Sequence, residues 1–284
     1  MRLIRAELLK ARRRQATWVM LGVFLILMGL IYLVAGSAFK FIGIIEFPAA
    51  YALVGQFAFG LGGILAVVYA AAFVGADWNW GVLRNVIARG ESRARYLLAK
   101  AVALAILLGI ALLIVFAFGI VMTYVTGLIW GVPVASPLRG NGLADLVEWL
   151  AFGYPVLIQR AMLGLAVAVL LRSQLAGAVV GIVLYLGESI IRLMLTGAAL
   201  IGRAQEPFEG GFQPIGPEWF QYLPISVGDY VVNAAPGGQT SISGGIEQFL
   251  LRPVPLELAL PTVLIYLVLS ITLAVVALNR QEIT

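Results

Sequence analysis

Residues 77–100 read DWNWGVLRNVIARGESRARYLLAK, the only long charged interruption in the first half of an otherwise apolar chain. Five of them are basic (Arg84, Arg89, Arg93, Arg95, Lys100), two are acidic (Asp77, Glu91), and Trp78 and Trp80 stand where the preceding apolar run ends. Lys and Arg concentrate on the cytoplasmic side of membrane proteins, so the stretch reads as a cytoplasmic connection between two transmembrane helices.

The runs on either side support that reading. Hydrophobic residues make up 62% of the chain and its mean hydropathy is +1.00, against roughly 45–50% apolar residues in a soluble domain. A membrane-crossing helix needs about 20 apolar residues, and six runs qualify: 17–36, 51–76, 100–127, 149–171, 174–200 and 259–278. The expected fold is an all-α polytopic membrane protein, a single domain over residues 1–284. Residues 1–15 put Met1, Ile4, Leu8 and Ala11 on one helical stripe and most of their arginines opposite, the pattern of a helix lying in the membrane interface. A plain basic flank and a secretory signal are the alternatives. The run from Thr17 to Gly36 exceeds the 7–15 residues of a signal core, which favours a retained span.

Lys and Arg set the orientation. With both termini inside, thirteen of the nineteen fall in inner segments, four (Lys40, Arg139, Arg203, Arg252) fall outside, and Arg160 and Arg192 lie within spans. This satisfies the positive-inside rule and leaves residues 201–258, with seven of the twelve prolines, as an extracytoplasmic region. The net charge of +5 is thereby read as topology, with no nucleic acid implied.

Cysteine and histidine are absent, which removes disulfides, thiol chemistry and histidine-based metal or acid–base sites. No G-x-x-x-x-G-K-[ST] sequence occurs, so the chain carries no P-loop. The remaining chemistry lies in intramembrane charges, which are expensive in a bilayer and therefore candidates for function. Glu188 and Arg192 are spaced i, i+4, so they face one way and can pair; Arg160 lies near the middle of the fourth span and needs a carboxylate or a wet crevice. Gly177 and Gly181 form a G-x-x-x-G that permits close helix packing. Tyr51, Phe57, Tyr69 and Tyr185 read first as core packing.

At the charged stretch the chain resembles the permease subunits of ABC-2 type exporters. Asp77 is followed by Gly81-Val82-Leu83-Arg84, the apolar Val86 and Ile87, Arg89-Gly90, Ser92-Arg93, and Tyr96 through Lys100. The family pattern is approximately an acidic residue, G-T-L-R, an apolar pair, S-R and a terminal K; Asp77 stands where glutamate is commoner and Val82 where threonine is. Arg5-Ala6-Glu7-Leu8-Leu9-Lys10 is similar to the family's opening, and Glu188, Trp219 and Leu223-Pro224 to its region after the fifth span.

The resemblance implies six helices per subunit, an N-terminal elbow helix over 1–15, a cytoplasmic coupling segment over 77–99, and short or re-entrant helices within 201–258. It implies two permease subunits, identical or paralogous, in the cell membrane, driven by separate P-loop ATPase subunits that bind the ATP and Mg; this chain carries no cofactor and is not itself an enzyme. Leu83, Val86 and Ile87 would anchor a coupling helix in a groove of the ATPase, with Asp77, Gly81, Arg84, Arg89 and Arg93 around it. The second and fifth spans would line the path, with Gln56, Tyr69, Tyr185, Glu188 and Arg192 as candidates. Two other readings stand beside it: a self-sufficient secondary transporter using Glu188, which predicts transport indifferent to ATP, and a non-transporting membrane scaffold or sensor.

Overall fold

The computed structural model describes residues 2–42, 47, 49–79, 81–88, 90–137, 140–203, 218–235 and 254–281. The amphipathic N-terminus forms α1 (Arg2–Arg13), followed by α2 (Gln15–Ile42), the short α3 (Ala49–Gly55), a π-helical turn (Gln56–Leu61) and α4 (Gly62–Asn79). The charged stretch supplies α5 (Val82–Ala88) and the start of α6 (Arg93–Trp130). Next come α7 (Gly142–Leu171), α8 (Gln174–Arg203), a 3₁₀ turn (Glu218–Tyr222), α9 (Pro224–Asn233) and α10 (Leu256–Arg280). No strand occurs among the described residues. Six helical segments among the described residues are long and apolar enough to cross a membrane, as expected, with α3, the π turn and α4 together making the second. The chain is a multi-pass membrane protein.

Local chemistry places the breaks. Gly81 (φ +63°) turns the chain between α4 and α5 in the left-handed region that glycine adopts without strain. Ser92 is extended (φ −71°, ψ 139°) and its hydroxyl accepts from the Arg95 N–H at 3.2 Å, capping α6. That cap starts α6 at Arg93, seven residues before the expected start of the third span at Lys100. Gly131 (φ 66°) closes the helix, and at 38 residues it is about 57 Å long, well beyond the ~30 Å hydrocarbon core.

The central helix is α7, packed against α4, α8, α9 and α10. Of its most apolar window 61% is buried, against 22% for α8 and for α10, whose bare apolar faces suit lipid. Small residues set the closeness of this packing. A Cβ on Gly177 would stand 2.6 Å from the Ala168 Cα, and one on Gly181 would stand 2.6 Å from a Val67 methyl, so the G-x-x-x-G is used inside the chain. At Gly164 a Cβ would strike the carbonyl oxygen of Val67, a backbone atom that cannot swing aside. Gly164→Val is therefore expected to cost about 3 kcal/mol, the upper end of overpacking losses, read as a lowered unfolding midpoint in detergent; Ala151→Val, at an exposed site of the same helix, serves as control.

Candidate functional site

Two buried charge networks lie at opposite ends of the second span. The first is built on Asp77, in the last turn of α4 and only 1% exposed. Its two oxygens take Lys10 of α1 at 2.5 Å and Lys100 of α6 at 2.6 Å, and the Tyr96 hydroxyl also donates to it. Lys100 is fully buried; it meets Glu7 of α1 at 3.0 Å, donates to the Phe73 carbonyl at 3.0 Å, and sits 4.3 Å from the centre of the Phe73 ring. One carboxylate thus fastens the amphipathic helix to two spans immediately before α5. Burial of this many charges is tolerable because each has an opposite partner.

The second network begins where the second span changes pitch. The π turn leaves carbonyls of Phe59 and Gly60 facing inward, and such turns recur at functional sites. Tyr185 of α8 directs its hydroxyl to both carbonyls, at 3.2 and 3.1 Å. Arg160 of α7 is fully buried; it donates to the Phe59 carbonyl, to the Tyr185 hydroxyl at 3.1 Å, and to Asp229 of α9 at 2.5 Å. The other oxygen of Asp229 takes Arg192 of α8 at 2.5 Å, and Arg192 also donates to the Ser226 hydroxyl at 2.9 Å.

Glu188 completes the network through the backbone. Helix α9 starts at Pro224 after Leu223, whose side chain cannot cap, so its first N–H groups need an outside acceptor. Glu188 supplies it, accepting from the N–H of Ile225 at 3.1 Å and from the N–H of Ser226. A carboxylate here also meets the positive end of the helix dipole. Burial alone would push the Asp229 carboxyl up, but the guanidinium groups of Arg192 and Arg160 outweigh it and hold the carboxyl below its usual range.

The residues expected at a coupling surface divide. Leu83 is 3% exposed inside the chain's own core, so it faces inward and is not free to anchor a partner, and the half-buried Val86 packs on the same core. A seven-residue helix beside a membrane must bury its apolar side, and the nearest cover is the chain itself. Arg93 is likewise occupied: its guanidinium donates to the carbonyls of Leu278 (2.9 Å), Asn279 (3.3 Å) and Gln281 (2.6 Å), closing the end of α10. Asp77 is a buried hub and Gly81 an exposed turn. Arg89, and the side chains of Arg84 and Ile87, lie outside what is described.

Of the residues expected along a path, the fold unites Tyr185, Glu188 and Arg192. Glu188 and Arg192 share a face, as their spacing predicts, and that face is turned to α9, which supplies partners to both. Arg160 finds the carboxylate it needs. Gln56 is half-buried at the first position of the π turn. Tyr69 belongs elsewhere, with its hydroxyl 2.9 Å from that of Thr17 and its ring stacked on Phe73. Tyr51 is buried, its hydroxyl donating to the Pro137 carbonyl at 2.9 Å. Asp229 and Ser226 were not among the expected residues, and Tyr96 was expected only as part of the approach to the third span. The i, i+3 spacing of Ser226 and Asp229 behind a helix-starting Pro224 was the available signal. Gln159, beside Arg160, is fully buried, and among the described residues neither of its amide atoms has a hydrogen-bond partner.

Among the described residues no group of His, Cys, Asp and Glu is arranged to hold a metal ion. The networks can bind charge, hold helices in register, and exchange partners when helices shift. No curated protein matches the chain. Its residues 25–284 match the family described as protein of unknown function (DUF2705), and the chain belongs to that family.

Proposed function

We propose that the protein is the membrane subunit of an ATP-driven exporter of the ABC-2 type, working as a pair of permeases in the cell membrane with separate P-loop ATPase subunits. Both termini and α5 face the cytoplasm, α1 is the elbow helix, and α9 is a re-entrant helix reaching in from the opposite side. The observation that carries the reading is the Asp77 hub: it ties α1, α4 and α6 together within a few residues of α5. A displacement of α5 cannot leave those helices behind.

Helix α4 then links the two networks, running from Asp77 back to the π turn whose carbonyls hold Arg160 and Tyr185. A push at one end reaches the second network at the other, where partners can be exchanged. The buried amide of Gln159, without a partner among the described residues, supports a second arrangement, because a conformation that satisfied it would recover a desolvation cost of about 1–3 kcal/mol. With Leu83 turned inward and Val86 packed on the same core, the docking surface is the remaining face of α5 with its basic neighbours, including the exposed Arg95. The commitment of Glu188 to the start of α9 weighs against its serving as the proton site of a secondary transporter.

The test is co-purification with a P-loop ATPase encoded beside this gene, followed by ATPase assays in vesicles. Arg84→Glu combined with Arg95→Glu is expected to lower complex recovery and stimulated ATPase activity at least tenfold while leaving the permease folded. Recovery and activity unchanged by both reversals, or transport that follows an ion gradient without ATP, would overturn the proposal.

A further inference from the structure

A crevice of about 390 Å³ lies between α1, α2, α4 and α6. Its walls are apolar, with Phe24, Ala58, Leu112 and Val115 at the deep end and Arg12, Thr17 and Tyr69 at the other. Two of those three polar residues are satisfied, since the Thr17 and Tyr69 hydroxyls bond each other at 2.9 Å. Arg12 is exposed, and among the described residues its guanidinium forms no ion pair. The crevice opens sideways past Trp18, Ile106, Ile110 and Ile114, each more than a third exposed on the surface that faces lipid.

Its dimensions select the occupant. From Thr17 to Phe24 on α2, and from Ile106 to Val115 on α6, the lining spans about 10–14 Å along the helices. That is close to half of the ~30 Å hydrocarbon core, the depth of one leaflet. Spread over that length, the volume leaves room for a single extended hydrocarbon chain, whose apolar surface matches the apolar walls. A cation with no ion pair among the described residues, Arg12 at the headgroup end, adds a preference of charge.

We propose that the crevice holds one acyl chain of an anionic phospholipid from the leaflet on the α1 side, with its phosphate on the Arg12 guanidinium. The lipid fills a void whose walls otherwise lack packing partners, and it ties α1 to α2, α4 and α6 from the face opposite the Asp77 hub. This site does not depend on the transporter reading and stands or falls separately from it.

Native mass spectrometry of the purified full chain, titrated with phosphatidylglycerol or phosphatidylcholine of equal chain length, tests it. Wild type is expected to retain one tightly held phosphatidylglycerol, preferred about fivefold over phosphatidylcholine, as one basic residue near the headgroups allows. Arg12→Gln, an exposed substitution that leaves the fold intact, is expected to abolish the preference. Ala111→Phe, which fills the half-buried wall of the crevice, is expected to abolish retention of both lipids. Equal retention of the two lipids by wild type, a preference that survives Arg12→Gln, tight retention in folded Ala111→Phe, or detergent alone in the site would each overturn the proposal. Should Ala111→Phe fail to fold, the Arg12→Gln comparison decides.

Discussion

Asp77→Ala is expected to lower the stability of the protein by about 3–5 kcal/mol, the range for breaking a buried ion pair by removing one partner. The loss comes from what is left behind. Lys100 is fully buried and would retain only Glu7 at 3.0 Å as a counter-charge, while Lys10 and the Tyr96 hydroxyl would lose their acceptor. Because Glu7 partly compensates, the lower half of the range is expected. Unfolding midpoints in detergent measure the effect, and a second substitution separates stranded charge from lost packing. Asp77→Ala with Lys100→Met removes the stranded cation and should recover more than half of the loss; no recovery would mean that the ion pair is not the cause. Glu7 and Lys10 lie on α1, so cleavage between α1 and α2 should also become faster in Asp77→Ala.

Asp229→Ala should have an effect of similar size, about 3–5 kcal/mol, because one carboxylate serves two guanidinium groups. Arg160 has no exposed surface, and its remaining acceptors are neutral: the Phe59 and Ile225 carbonyls and the Tyr185 hydroxyl. Helix α9 would lose its only ion pairs among the described residues and keep the Glu188 cap, the Arg192–Ser226 hydrogen bond and its apolar face, so hydrogen exchange should rise across residues 224–233. The same carboxylate sets a pH dependence. Its pKa in the folded chain is below the ordinary aspartate value, so its stabilisation is fully present above that value, about 3.9. It is lost as the pH falls through the lower folded value. The difference in midpoint between wild type and Asp229→Asn should therefore be constant from pH 7 to 5 and shrink only below about pH 4. A difference that shrank near neutrality would contradict the geometry.

How much of this was legible in the sequence differs from residue to residue. The shared face of Glu188 and Arg192 followed from an i, i+4 spacing, which is local. Its destination did not, because α9 is reached only through a connection whose length says nothing about where the helix packs. Asp77 was legible as the first charge after an apolar run, and Lys100 as the last before the next, a pattern that reads as two solvated ends of a loop. In the fold these two ends come together against α1 and leave water. Leu83 and Val86 were legible as an apolar face, but an amphipathic helix does not state whether its apolar side turns to its own chain or to a partner. The start of α6 at Arg93 was not legible, because the charged residues between Ser92 and Lys100 carry no signal of a membrane span.

By itself the sequence determined that the chain is built of helices apolar enough to cross a membrane, which segments those are, and that no histidine takes part. Those properties depend on composition over about 20 consecutive residues, and the bilayer reads them one helix at a time. Only the tertiary structure decided which charges meet: Lys10 with Asp77 across 67 positions, Arg160 with Asp229 across 69, and Arg192 with Asp229 across 37. A charge in a bilayer must find a partner, but the identity of that partner is set by how the helices pack. Here glycines at 164, 177 and 181 settle the packing by bringing α4, α7 and α8 close enough for the rest of the chain to be drawn around them.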